Sequence, residues 1–266
     1  MICGGYTAYE EENNLDTVSV IMPTYNCGDY ITTAVRSVIN QTYPHWELII
    51  VDDASTDNTA TVLRPLLTDT RIHYVRLDRN RGAAAARTLA LQKARGRFVA
   101  FLDSDDAWLP QKLEEQLAFM YAHPGCAMSA TAYRDINEHG EELSRIRIPP
   151  RECGYWKLLF LSDPLGNSTV IYDRTVFGDR TVPPIEKRND FALWLSLLRN
   201  GEICRGLPTV LTHYRVRSQS LSARKLTLAK YHWHLYREIE GLPIATSALA
   251  MTCWAVVKGW RQVTSR

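Results

Sequence analysis

Four runs of β-branched and aromatic residues, Thr17–Met22, Trp46–Val51, Ile72–Leu77 and Phe98–Leu102, alternate with three segments of helical spacing. Runs as apolar as the first, second and fourth are buried strands, and the alternation of all four with helices predicts a mostly parallel α/β sheet flanked by helices. The first helix is read from about Asp29, with Ile31, Val35, Val38 and Ile39 on one side; the second starts from a Thr56 or Asp57 cap. The third covers Ala83–Ala94 and is closed by Gly96. Pro23 is expected to stop the first strand, because proline cannot continue a hydrogen-bonded ladder. In such sheets ligands bind beyond the carboxyl ends of the strands. Three polar clusters fall there: PTYN at 23–26, DDAS at 52–55 and DSDD at 103–106.

The third cluster is the most demanding. Asp103, Asp105 and Asp106 at one strand mouth repel one another, and they stay ionised only if well solvated or sharing a cation. A divalent metal is the economical explanation; a polar loop that merely ends the strand is the alternative. The other clusters carry groups that a nucleotide needs. Tyr25 offers an aromatic face, Asp53 an acceptor for a base N–H, Asp103 an acceptor for ribose hydroxyls, and Arg87 a phosphate partner. No GxGxxG or GxxxxGK loop opens a helix after the first strand. Phosphates must then be held otherwise, and metal at Asp105 meets that need.

Past Pro110 the pattern predicts a helix to about His123, a strand over Cys126–Tyr133, a hairpin or mobile loop over 135–150, and a short strand over Asn167–Tyr172. A helix over Asp190–Arg199, a strand over Thr209–Val216 and long helices from about Ala223 follow. Taken singly, Tyr25 reads as a turn aromatic, Asp190 as a residue favoured by the helix dipole, and Gly166-Asn167-Ser168 as a turn; Trp194 and Leu197 read as core. The net charge of +2 gives no reason to expect nucleic acid. Six cysteines without zinc-type spacing predict free thiols in a reducing compartment. Residues 1–16 have neither a basic start nor an apolar run and read as a loose acidic leader. From Gly241 to Val257 there is no charge, and Trp254, Lys258, Trp260 and Arg261 lie at or beyond its end. That segment can be a helix crossing the bilayer, lying on an anionic membrane surface or packed on the domain.

The succession VSVIMPTYN, ELIIVDDASTDNT, RNRGAAAAR, FVAFLDSDDAWLP, NDFALWLSLLRNG and THYRVRSQSLS closely resembles the family 2 glycosyltransferases. Each motif is weak alone; their order and spacing over Thr17–Ser222 make the signal. The resemblance implies the GT-A fold, a Rossmann-like nucleotide-binding mixed sheet, with a nucleotide-binding half at 17–110, an acceptor half at 111–222 and a C-terminal helical extension at 223–266. It also assigns roles. Pro23, Thr24, Tyr25 and Asp53 would hold the base, Arg87 the base or diphosphate, and Asp103 the ribose. Asp105 would coordinate Mn²⁺ or Mg²⁺, with Asp106 in support, and Asp190 would be the catalytic base. Asn167 and Ser168 fall where relatives form part of the acceptor pocket. Three departures stand out: Asn189 replaces a glutamate beside the base, Thr88 replaces a common asparagine, and Arg217 stands where many relatives carry a histidine. Arginine cannot ligate metal, but it can pair with phosphate.

The implied activity is a single-displacement, inverting transfer from a nucleotide sugar, UDP-linked, to a saccharide acceptor. Resemblance to O-antigen and exopolysaccharide enzymes points to a polyprenyl-diphosphate-linked acceptor, and thus to a cytoplasmic chain peripheral on the inner face of the plasma membrane. A nucleotidyltransferase is a rival reading, but it should carry a glycine-rich signature that PTYN lacks. A catalytically silent nucleotide-sugar-binding scaffold is the other, left open by Asn189.

Overall fold

The computed structural model describes residues 16–161, 164–217 and 225–263. Its first half runs β1 (Val18–Thr24), α1 (Ile31–Ile39), β2 (Trp46–Asp52), α2 (Thr59–Leu63), β3 (Ile72–Arg76), α3 (Ala83–Lys93), β4 (Phe98–Phe101) and β5 (Ala107–Trp108). The second half runs α4 (Lys112–Ala122), β6 (Met128–Ile136), β7 (Glu142–Arg147), β8 (Glu152–Cys153), α5 (Tyr155–Leu161), β9 (Val170–Asp173), α6 (Arg174–Phe177), α7 (Asn189–Leu198) and β10 (Cys204–Arg215). After these come α8 (Lys225–His234), a π-helical turn over Leu235–Ile239, and α9 (Ile244–Val263).

One sheet takes all ten strands of the described residues, in the order β3-β2-β1-β4-β9-β6-β10-β5, with β7 added to β6 and β8 to β10. The strands β3, β2, β1 and β4 are mutually parallel, as the alternation requires. β9 runs antiparallel between β4 and β6, while β6 and β10 are parallel to each other. Six strands therefore point the same way, and their carboxyl ends form one edge. Alternation along β1 feeds both faces of the sheet: Val18, Val20 and Met22 pack with Ile31, Val35 and Leu113, while Ile21 joins Phe101, Ala90 and Trp194.

Several local expectations are corrected. Pro23 does not stop β1, which continues to Thr24 in register with Asp52. Leu102 N–H donates to the Ile21 carbonyl, so by alternation the nitrogen of Pro23 faces the side that β4 has already left. Gly96 does not cap α3, which ends at an extended Ala94; a Cβ on Gly96 would stand 2.3 Å from the Thr17 carbonyl oxygen. Glycine is required there by the close passage of the β1 and β4 entries. Asn58 occupies the N-cap position of α2 without a side-chain cap, and Asp57 just before it accepts from the Thr59 N–H at 3.0 Å. Residues 167–169 form a 3₁₀ turn and only then does β9 begin. The 135–150 stretch is a hairpin, with β7 antiparallel on β6. The short elements β5, β8, α5 and α6 left no periodic signal. Asp16, assigned to the leader, accepts from Tyr43 and Tyr121 hydroxyls at 2.8 Å each and belongs to the folded unit.

No helix among the described residues is long and apolar enough to cross a membrane. α9 packs on α5 and α8, burying Ser247, Ala250 and Trp254 at three- and four-residue spacing. Its other face exposes Ile244, Leu249 and Val256.

Candidate active site

Among the described residues three non-glycine residues adopt positive φ: Asn26 at 48°, Ala54 at 62° and Arg188 at 67°. Each adjoins a residue singled out above, respectively Tyr25, Asp53 and the Asn189-Asp190 pair. Such a conformation costs an L-residue about 1 kcal/mol or more, and it persists where the surroundings over-determine it.

The first two loops hold one another. Asn26 N–H donates to Ser55 Oγ at 2.9 Å, and Thr56 N–H donates to Asn26 Oδ1 at 2.8 Å. Tyr25 is left 49% exposed, its ring available as a platform. The neighbouring Thr24 hydroxyl is buried and has no partner among the described residues. Asp52 serves the scaffold, accepting from Ser55 N–H at 2.8 Å and the Tyr74 hydroxyl at 2.6 Å. Asp53 accepts from the Arg81 and Gly82 amides at 2.6 and 2.8 Å, tying the second loop to the turn before α3.

The aspartates after β4 divide three ways. Asp103 Oδ1 accepts from Arg87 at 2.6 Å and from Asn167 Nδ2 at 2.8 Å, and its N–H donates to Ser168 Oγ at 3.0 Å. Asp105 Oδ2 pairs with Arg217 at 3.2 Å. Asp106, buried, accepts from Ser168 Oγ at 2.5 Å and the Arg215 amide at 2.9 Å. Burial and the charges of Asp105 and Asp103 push the Asp106 carboxyl well above the usual carboxylate range. Burial also pushes Asp103 upward, but its side chain keeps 29% exposure and a guanidinium partner, so the effect is firmest at Asp106.

Arg87 connects this loop to the second helix of interest. Read from sequence as a contact to base or phosphate, its guanidinium is buried and bridges Asp103 to Asn189 Oδ1. Asn189 thus supplies an oxygen where a glutamate was expected, and the next residue is Asp190. Asp190 Oδ1 accepts from the Phe191 amide at 2.9 Å, within its own helix. α7 is fixed against the strand by Trp194, whose ring meets Phe101 edge-on at 4.9 Å. Thr88 Oγ1 accepts from Val182 N–H at 3.0 Å and ties α3 to the loop leading into α7.

The structure therefore gathers Asp103, Asp105, Asp106, Arg87, Asn167, Ser168, Asn189 and Arg217 into one network. Asn167 and Ser168 face inward, holding aspartates rather than lining an open pocket. Arg215, Tyr30, Trp108 and Cys27 were missed. Arg215 Nε donates to the Asp105 carbonyl at 2.8 Å, and the Arg215 and Arg217 guanidinium carbons lie 4.8 and 4.9 Å from the Tyr30 ring centre. Their spacing of two in an extended strand was the available signal. Trp108 donates its indole N–H to the Ser168 carbonyl at 2.7 Å. Burial pushes the Cys27 thiol up to about 12, so it is no nucleophile.

The donor set suits a hard divalent cation. Asp103 and Asp105 present partly exposed oxygens, but among the described residues no three His, Cys, Asp or Glu side chains converge to hold a metal ion by themselves. A cation here would keep positions for ligand oxygens and water, as Mg²⁺ does.

Comparison with known proteins identifies the family and the fold. Residues 19–178 match the family described as Glycosyl transferase family 2. TuaG of Bacillus subtilis, assigned by name to teichuronic acid biosynthesis, is 46% identical over 226 residues, covering 85% of this chain and 89% of TuaG. WfgD of Escherichia coli, a UDP-Glc:α-D-GlcNAc-diphosphoundecaprenol β-1,3-glucosyltransferase, is 36% identical over 229 residues, covering 86% and 88%. Among solved structures, S. aureus TarS with UDP-GlcNAc superposes with a TM-score of 0.69 at 22% identity, covering 90% of this chain and 71% of that one. The mannosyltransferase PcManGT of Pyrobaculum calidifontis with GDP-Man and Mn²⁺ gives 0.65 at 20% identity, covering 92% and 75%. These two likenesses establish the GT-A fold.

Proposed function

The chain belongs to glycosyl transferase family 2, and from that premise we propose that it transfers a sugar, with inversion, from a UDP-sugar to a lipid-diphosphate-linked saccharide in surface polysaccharide synthesis. The observation that carries the reading is the Arg87 bridge, which couples Asp103 on the donor loop to Asn189 beside Asp190. Tyr25 stacks on the base and Asp53 accepts from its edge; Asp103 takes the ribose. Mn²⁺ or Mg²⁺ held by Asp105 would supply positive charge to the departing diphosphate. Arg217, already at Asp105, is the protein's own cation in reach of phosphate oxygens. Asp190 withdraws the proton from the acceptor hydroxyl as it attacks the anomeric carbon from the side opposite the leaving group.

Asp190→Asn tests the assignment. Transfer should fall about 10²–10⁴-fold, while UDP with Mn²⁺ should still raise the melting temperature as in the parent. Retained transfer would remove Asp190 from the base role. A silent binding protein gains no support from Asn189, because its amide oxygen holds Arg87.

A lipid-linked acceptor calls for a membrane contact, and the exposed Ile244, Leu249 and Val256 face of α9 suits an interfacial helix at the inner leaflet. Cosedimentation with anionic vesicles should carry the full chain into the pellet and leave Leu249→Glu in the supernatant; a parent chain that stays soluble refutes the contact.

A further inference from the structure

A groove of about 570 Å³ opens between the start of α5, the end of α7 and the turn before α9, inside the size range of small-molecule pockets. It is remote from the transfer site. Residues 198–203 on its wall precede β10, whereas Arg215 at the far end of that strand bonds the aspartate loop. The groove lies at the amino end of the strand and the transfer chemistry at the carboxyl end.

Three features of its lining define a ligand. Trp156 is 57% exposed, yet its ring is held: it lies within 17° of parallel to Phe160 at 6.1 Å and meets Tyr155 edge-on at 5.1 Å. An aromatic plane fixed in this way and open to solvent suits the apolar C–H face of a pyranose. Beside it, the Glu240 side chain is 1% exposed, and its Oε2 accepts from the Tyr155 hydroxyl at 2.6 Å and Arg199 at 2.8 Å. Its other oxygen is buried without a partner among the described residues, so the site lacks a donor. Glu202 and Glu240 disfavour an anion, and Arg199 and Lys157 disfavour a cation. A neutral polyol, which donates and accepts at once, satisfies both sets.

We propose that this groove binds a saccharide, as a second carbohydrate site separate from the one where transfer occurs. Trp156 stacks on a sugar ring while Glu240 and Arg199 take adjacent hydroxyls. A growing glycan could be retained there between transfers. The proposal needs no particular donor or acceptor at the other end of the sheet.

The ¹⁵N-labelled full chain is titrated with laminaritriose and with triacetylchitotriose, with and without UDP and Mn²⁺. Of the seven tryptophans, the one whose indole N–H resonance vanishes in Trp156→Ala is identified directly. That resonance should shift with a roughly millimolar midpoint whether or not UDP is present, and Arg199→Ala should weaken the response about tenfold. The melting-temperature rise with UDP, read on the same samples, should be unchanged in Trp156→Ala, which keeps a failure of the donor-site reading separate. A Trp156 resonance unmoved by both trisaccharides overturns the proposal. A shift produced only by anionic vesicles also overturns it and assigns the ring to the membrane.

Discussion

α7 has an arginine–carboxylate pair near each end, and the two pairs are built in opposite senses. At its amino end Arg87 is buried and shared between Asp103 and Asn189, so one cation fixes two chain segments 86 residues apart in sequence. At its carboxyl end the carboxylate is the buried partner: Glu240 is enclosed while the Arg199 side chain is 49% exposed. A buried guanidinium with two acceptors is geometry already settled, which suits a site that must hold reacting groups in place. A buried carboxylate with one oxygen unmatched is an acceptor still open to a donor. The contrast separates machinery from a receptive surface within one helix.

Removing each arginine should make the contrast measurable. Arg87→Met removes the charged donor from both the partly exposed Asp103 and the buried Asn189 Oδ1, and should cost about 3 kcal/mol in urea unfolding, with loss of the UDP-induced melting shift. A loss below about 1 kcal/mol, with UDP binding intact, would show the bridge to be incidental. Arg199→Met should cost less, about 1–2 kcal/mol: half of that side chain is already in water, and the enclosed Glu240 loses its cation but keeps the Tyr155 hydroxyl. UDP binding should not change. If the two variants cost the same, the two ends of α7 are energetically alike and the distinction fails.

The same contrast governs what the sequence could reveal. The clusters at 23–26, 52–55 and 103–106 were legible because each follows an apolar run that can only be a buried strand, and strand ends place them on one edge. Asp190 was legible only through its place in a known succession of motifs, since a helix-start aspartate has a sufficient reason in the dipole. What joins them was not legible. Arg87, Asn167 and Ser168 have their partners 102, 64 and 62 residues away, and no local period encodes such pairings. Pro23 and Gly96 were misread for a related reason: local rules gave a strand stop and a helix cap, while the neighbouring strands decided otherwise. The groove at Glu240 was invisible because it is made where three segments, each unremarkable alone, come together.

The smallest effect probes whether the amino-terminal end is fixed by strain as well as by pairing. Ala54 holds φ at 62°, directly after Asp53, a conformation costing an L-residue about 1–2 kcal/mol. Ala54→Gly removes that cost but adds backbone freedom to the unfolded chain, worth about 0.4–1 kcal/mol in the other direction. The net should be stabilisation of about 0.5 kcal/mol, read as a higher urea midpoint at unchanged slope. UDP affinity should stay the same, because Asp53 keeps both amide donors, Arg81 and Gly82, and these set its carboxylate. A weaker UDP response in the more stable variant would mean that the strained alanine itself holds Asp53 in its binding orientation, and that hydrogen bonding alone does not position the donor loops. Arg188, in the same conformation before Asn189, would then be expected to do the same for the start of α7, extending the settled geometry from the base pocket to the transfer helix.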